Sequence, residues 1–488
     1  MPGPRDLPRP SLVSYPPGVP PTYEYPQVPL TRFLEDAARD FPDLAATWFE
    51  RATISYSGLL EHVDRLAAAL ADLGVQPGTP VGLVLPNLPA APIALFASLR
   101  LAAVVVPIHP TASSEELHHQ LEDSGCELVV CVAPVLPRIE AGQARLPRLR
   151  SIITTHEADW LSFPKSKLVA FRRRRLRRPR HPLSEAEVLR LTDLLRGAAP
   201  TAKQAHTAPD DIALIAYSKG TESPSRGIAH SHANLVANAF QARLWIADTQ
   251  AGKERVLLGL PAADLHGLVV GLLNGMLSAA TLLLLPRFDV EAALKIIAQQ
   301  RPTLVSGVPA MYASLVEHAS GGSMDLSSIR VGVSNGPLSG AVVGRFQALS
   351  GGRLRESYGP SGTSALTHAN PVYGRAVEGR IGLPVTDTVS AVVDAADPAR
   401  LLPAGQAGRL AVSGPQVAGG NWNQPEDTGA VLRDGWLVTR DLAVADEDGY
   451  YALLQSGPVR NRPSSPNPGE GRQLRMEDHA ENSTEDLR

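Results

Sequence analysis

The 488-residue sequence predicts an α/β protein with two doubly wound, mostly parallel sheet subdomains and a smaller β-rich subdomain. Three observations carry that reading. Helical and strand-like patterns alternate from Leu30 to about residue 378, the order in which crossover helices link parallel strands. The strand candidates are continuous apolar runs, such as residues 128–132, as expected where both faces of a sheet are covered. After Gly379 the pattern changes to short strands separated by Gly, Pro and Asp turns.

Taken in order, residues 1–29 form a proline-rich arm, without the apolar core of a signal peptide. The first α/β subdomain, residues 30–163, contains a helix expected over residues 56–73. Leu59, Val63, Leu66, Leu70 and Leu73 recur there at helical spacing, and Gly74 follows as a C-terminal stop. A strand at 81–85, a helix at 90–101, a strand at 104–107, a helix at 114–124 and a strand at 128–132 continue the alternation. Residues 164–208 are a basic connection holding Arg172, Arg173, Arg174, Arg175, Arg177 and Arg178. That run reads either as a contact to an anionic surface, such as a membrane, or as a solvated helix face beside a linker.

The second α/β subdomain, residues 209–378, opens with an apolar strand at 211–217, a loop, and a helix start at Ser231. Residues 265–285 lack Asp, Glu, Lys and Arg, and Gly267, Gly271 and Gly275 recur every fourth position. That length approaches a membrane span; the preferred reading is a buried helix running into a strand at 281–285, so no transmembrane segment is expected. The β-rich subdomain, residues 379–454, has strands at 389–394 and 408–413, and the polar residues 455–488 are expected to be disordered. A formal charge of −3 gives no drive toward nucleic acid. The two cysteines, Cys126 and Cys131, lie on one extended stretch, which fits no disulfide and no Cys-based metal site and suits a reducing cytoplasm.

The most informative stretch is YSKGTESPSRG, residues 217–227. A small-residue, hydroxyl-rich loop between a strand and a helix is where backbone N–H groups converge on an anion. Together with the segments at 15–38, 82–110, 231–238, 307–312, 379–385 and 435–451, it resembles the AMP-forming acyl-CoA synthetases, and most closely the bacterial long-chain fatty-acid–CoA ligases. The likeness runs from about residue 15 to residue 454. It implies the large N-terminal domain of that family, a cytoplasmic location, ATP or AMP and Mg²⁺ as cofactors, and a fatty acid or other small carboxylate as substrate. It further implies two steps: carboxylate and ATP give acyl adenylate and pyrophosphate, then a thiol, usually coenzyme A, displaces AMP.

By the same resemblance the nucleotide-binding positions are Gly220, Thr221, Arg226 and Gly227 in the loop, Tyr358 for adenine with Gly359 and Ser361 beside it, and Asp441 for the ribose. Other positions depart from the family pattern. Glu222 replaces a hydroxyl and Ser223 a glycine. A carboxylate at about 4 Å from a phosphate oxygen costs on the order of 4 kcal/mol at an effective dielectric near 20. Lys219 either offsets that charge or joins Glu222 in stiffening a loop that no longer binds phosphate. Gly362 stands where the family places its Mg²⁺-holding glutamate, so no metal ligand is assigned; nearby Glu356 reads as structural. Ala263 and Asp264 replace an aromatic residue and a histidine, and His266 reads as a hydrogen-bonded neighbour of glycines rather than a displaced functional group. Ser334–Leu338 is one residue shorter than the family's adenine-side turn. Arg440 replaces a glycine and is expected to strain its turn.

The resemblance stops after Leu454, where the family continues into a mobile C-terminal domain bearing a catalytic lysine; that domain is expected to be absent, and coenzyme A binding with it. The reading is a ligase-family protein with a degraded ATP and Mg²⁺ site, weakly active or inactive. The alternatives are residual fatty-acyl adenylation, or full ligase activity with a partner protein supplying the C-terminal domain.

Overall fold

The computed structural model describes residues 3, 7–161, 186–200, 204–217, 225–320, 324–424, 426, 428, 429 and 432–454. Lys219, Gly220, Thr221, Glu222 and Ser223, the arginine run at 172–178 and residues 455–488 therefore lie outside the described residues.

Among the described residues the strands form three sheets. The first has the order Gly420–Asn421, Gly227–Ser231, Ile212–Tyr217, Val104–Pro107, Pro80–Val84, Leu128–Val132, Ser151–Thr155 and Glu187–Arg190. It is parallel from Ile212–Tyr217 onward and antiparallel at the two edge pairings before it. The second runs Leu383–Pro384, His368–Ala369, Arg353–Tyr358, Val331–Asn335, Leu304–Gly307, Arg255–Leu258, Thr281–Leu284, Ala45–Phe49 and Ala52–Ser55. Its six central strands are parallel. The third is antiparallel: Val389–Val393, Gly408–Ser413, Trp436–Ala445 and Leu432–Arg433, with Tyr451–Leu454 also on Trp436–Ala445.

The first two sheets share one core. Leu83, Val105 and Leu214 of the first sheet join the same buried cluster as Val256, Leu282 and Leu304 of the second. To that core the helix Tyr56–Asp72, capped by Ser55, whose hydroxyl accepts from the Gly58 N–H, adds one face. It buries Leu59, Val63, Leu66 and Leu70, and the chain turns away at Gly74 with φ +82°. Helix Ala90–Arg100 is buried from Ala90 to Leu99 because neighbours cover it on every side.

The charge-free stretch folds as a π-helical turn, Gly267–Leu273, a short helix, Asn274–Leu277, and the strand Thr281–Leu284. Its glycines seat the helix on the sheet: a Cβ at Gly271 would lie 2.7 Å from Leu258, and one at Gly275 2.5 Å from Leu282. No helix among the described residues is long and apolar enough to cross a membrane.

Two local expectations change. The loop after Tyr217 does not lead into a helix: Gly227–Ser231 returns antiparallel to Ile212–Tyr217, and helix His232–Trp245 begins only after that strand. The loop is therefore a hairpin connection, and the helix N-terminus, capped by Ser231, belongs to the far end of the returning strand. The proline-rich arm is irregular but docked: the Tyr15 hydroxyl donates to the Pro384 carbonyl at 2.8 Å, and the Tyr23 N–H donates to Asp387 at 2.9 Å. Within the basic connection, Glu187–Arg190 extends the first sheet and Leu191–Gly197 is helical.

Candidate nucleotide and acyl site

Tyr358 ends a strand of the second sheet, and its hydroxyl donates to Asp441 Oδ2, on the third sheet, at 2.6 Å. A bulge aims Asp441. Ala411 pairs with Val438 and Arg409 with Leu442, so Leu410 alone faces Thr439, Arg440 and Asp441. Thr439 Oγ1 accepts the Asp441 N–H at 3.2 Å and holds the kink. Burial, and then the neighbouring carboxylate, push the Tyr358 phenol well above its ordinary range. The expected strain at Arg440 is absent: it is an exposed strand residue without a positive φ, because the bulge takes up the irregularity.

The turn after Tyr358 depends on two glycines. A Cβ at Gly359 would sit 1.9 Å from the Ala365 carbonyl oxygen, a clash that no side chain there avoids. Gly362 adopts φ +97°, with Leu437 3.1 Å from where its Cβ would be. Thr363 closes the turn, its N–H and hydroxyl both donating to the Pro360 carbonyl, at 3.1 and 2.9 Å. Glu356 is structural, as its place in the sequence suggested. It accepts from the Leu338 N–H at 2.6 Å and the Asn370 amide at 3.0 Å, and burial raises it to about 6.

Tyr217, Asp264, His266, Asn335, Gly359 and Gly362 line one cavity of about 240 Å³. Residues far apart along the chain, from both large sheets, thus meet around one space. Asp264 accepts from the His266 N–H at 2.9 Å and the Gly267 N–H at 3.3 Å, so it caps the π-helical turn. His266 is 2% exposed, with the Val333 backbone within reach of its ring. Burial lowers it to about 4, against smaller opposing pulls from Asp264 and the Val333 backbone. Beside the cavity, Ala262, Ala263 and Leu268 line a narrow apolar gap of about 20 Å³ with Leu83, Leu95 and Leu214, and Ala263 belongs to both spaces.

The two ends of the hairpin loop are tied to helix Ser114–Asp123, a contact that sequence reasoning missed. The Tyr217 hydroxyl donates to Asp123 at 2.6 Å, the His119 ring N–H donates to the Ser225 carbonyl at 2.7 Å, and the Ser225 hydroxyl donates to Glu116. Glu116, His119 and Asp123 share one helical face, a spacing visible in the sequence. Arg226 is exposed, whereas Gly227 pairs with Tyr217 and would place a Cβ 2.9 Å from Ile215. The remaining positions divide plainly: Tyr358, Gly359, Ser361, Gly362, Asp264 and Asp441 gather at or beside the cavity, while Arg440 faces solvent.

Residues 34–422 match the AMP-binding enzyme family. This chain belongs to that family. A long-chain-fatty-acid–CoA ligase of Bacillus subtilis is 32% identical over 459 residues, covering 91% of this chain and 80% of that protein. A feruloyl-CoA synthase of Amycolatopsis is 31% identical over 423 residues, covering 86% and 76%. Among solved structures, apo MatB from Rhodopseudomonas palustris superposes with a TM-score of 0.73 at 26% identity, over 88% of this chain and 79% of that one. The N-terminal domain of FACL13 from Mycobacterium tuberculosis, at 21% identity, shares the fold with a TM-score of 0.73 over 88% of this chain and 99% of that one.

For an AMP-binding enzyme, the described residues fit the nucleoside part of the ligand better than a metal. Tyr358 offers a flat ring and Asp441 a carboxylate whose Oδ2 already accepts from Tyr358, and the Gly359 backbone comes so close to Ala365 that no side chain fits there. Gly362 brings no carboxylate to the cavity, and both Glu356 oxygens are occupied. No group of three or more His, Cys, Asp or Glu able to hold a metal occurs among the described residues.

Proposed function

We propose that this AMP-binding enzyme binds an adenosine nucleotide and a fatty or other small carboxylate, and forms the acyl adenylate slowly, its nucleoside half kept and its metal-assisted step impaired. The observation that carries this reading is the Tyr358–Asp441 hydrogen bond beside a turn in which Gly362, where the resemblance implies a metal-holding glutamate, adopts a left-handed conformation. Adenylate formation needs a carboxylate oxygen placed in line with the α-phosphorus, with donors for the developing charge. In the proposed complex Asp441 accepts from the ribose hydroxyls and Tyr358 lies against the base, both beside the cavity lined by Gly359 and Gly362. Charge stabilisation is the weak part: position 362 has no carboxylate, and Glu222 adds negative charge to the loop that resembles a phosphate cradle.

Calorimetric titration with AMP tests the nucleoside half. The wild-type protein is expected to bind, and Asp441→Ala to bind about tenfold or more weakly, the loss of hydrogen bonds to a charged acceptor. A folded wild type that does not bind AMP, or an Asp441→Ala variant that binds it equally well, would refute the assignment.

A further inference from the structure

A short connector leads from Leu383–Pro384, on the second sheet, to Val389–Val393, on the third. The proline-rich arm holds that connector almost residue by residue. The Tyr15 hydroxyl donates to the Pro384 carbonyl at 2.8 Å, and the Thr386 hydroxyl donates to the Pro20 carbonyl at 2.9 Å. Asp387 is gripped twice: its N–H donates to the Pro21 carbonyl at 3.1 Å, and its Oδ2 accepts from the Tyr23 N–H at 2.9 Å. Two buried amides fasten the connector to the interior. Gln241 donates to the Thr386 carbonyl at 2.6 Å, and Gln416 donates to the Thr388 hydroxyl at 2.8 Å. Asp387 itself adopts φ +57°, left-handed backbone that a non-glycine residue keeps where its surroundings hold it there.

Tyr358 belongs to the second sheet and Asp441 to the third, so the hydrogen bond between them spans the same two sheets that this connector links. A contact of 2.6 Å tolerates little relative movement before it is lost. We propose that Asp387 is a positioning residue for nucleoside binding: clasped by the arm, it fixes the third sheet against the second and so holds Asp441 at Tyr358. This assignment rests on the nucleoside reading above. A backbone bridge between Gly382 and Tyr451 also joins the two sheets, so loss of the clasp weakens nucleoside binding without abolishing it.

The full chain is titrated with AMP by calorimetry, well below the melting temperature of each variant. Asp387→Gly accepts the left-handed backbone and removes the carboxylate, and is expected to bind AMP about threefold or more weakly, the range of one lost hydrogen bond. Asp387→Asn, which keeps an acceptor oxygen for the Tyr23 N–H, should bind as wild type does. In an Asp441→Ala background Asp387→Gly should cost nothing further, because the carboxylate it positions is gone. Tyr15→Phe frees the Pro384 carbonyl on the same connector and leaves the ring against Trp245, so it should weaken AMP binding in the same sense. Wild-type affinity in folded Asp387→Gly, or in Tyr15→Phe where Asp387→Gly does not fold, would overturn the positioning role while leaving the nucleoside site standing. An equal loss in the Asp441→Ala background would also overturn it. A wild type that does not bind AMP would remove the nucleoside reading together with this one.

Discussion

Gly362 holds φ at +97° with Leu437 packed 3.1 Å from where a Cβ would be. Placing a glutamate there must force an L-residue into left-handed backbone against that leucine. Gly362→Glu is therefore expected to lower stability by about 1–3 kcal/mol and to leave Mg·ATP affinity unimproved, as read by thermal melts and nucleotide titration. Tighter Mg·ATP binding at unchanged stability would show that the turn accepts a carboxylate. Gly359→Ala should be worse, because its Cβ meets backbone and not a flexible side chain; a melting temperature equal to wild type would contradict the close approach of Gly359 to Ala365. The sequence identified both positions and their neighbours, but φ is fixed by the closing bonds of Thr363 and by Leu437, from a distant strand. Local composition carries no trace of those contacts.

At the level of elements, the hairpin carrying the loop is fastened to helix Ser114–Asp123 through Tyr217 and Ser225. Tyr217→Phe removes one hydrogen bond to a carboxylate and is expected to cost about 1–3 kcal/mol. Hydrogen exchange at Gly227–Ser231 should rise in this variant; unchanged protection there would mean that the tether does not hold the strand. The apolar strands and the helix at 56–72 were legible because burial on one or both faces writes itself into periodicity. Gly227–Ser231 was not: so short a segment carries little pattern, and its pairing with Ile212–Tyr217 is specified by contacts across the loop. The Arg440 bulge was hidden for the same reason, since register against Leu410 belongs to two strands together.

Across the whole molecule, one core joins the two large sheets, and the site draws its lining from distant parts of the chain. The folded chain buries His230, His232, His266 and His368 as neutral rings. Burial lowers the first three from 6.5 to about 4 and His368 to about 3. Because the folded values lie below the unfolded one, their contribution is complete above pH 6.5 and is lost as pH falls toward 4. Glu356, raised to about 6, and Asp64 and Asp159, also raised by burial, act in the opposite sense, stabilising most below their unfolded values. The melting temperature is expected to drop between about pH 7 and pH 4.5, and a flat profile would contradict the buried neutral histidines. Fold class and family were readable from ordered motifs spread over the chain, whereas the burial of His266 emerges only once both sheets are in place.

The most direct measurement of the central claim is fatty-acid-dependent pyrophosphate release from Mg·ATP by the purified, folded protein, run beside the Bacillus subtilis ligase. The account predicts release above background, abolished by Asp441→Ala and slower than that ligase by about a hundredfold or more, the scale of losing a transition-state charge contact. Release at the ligase's own rate would contradict an impaired metal-assisted step.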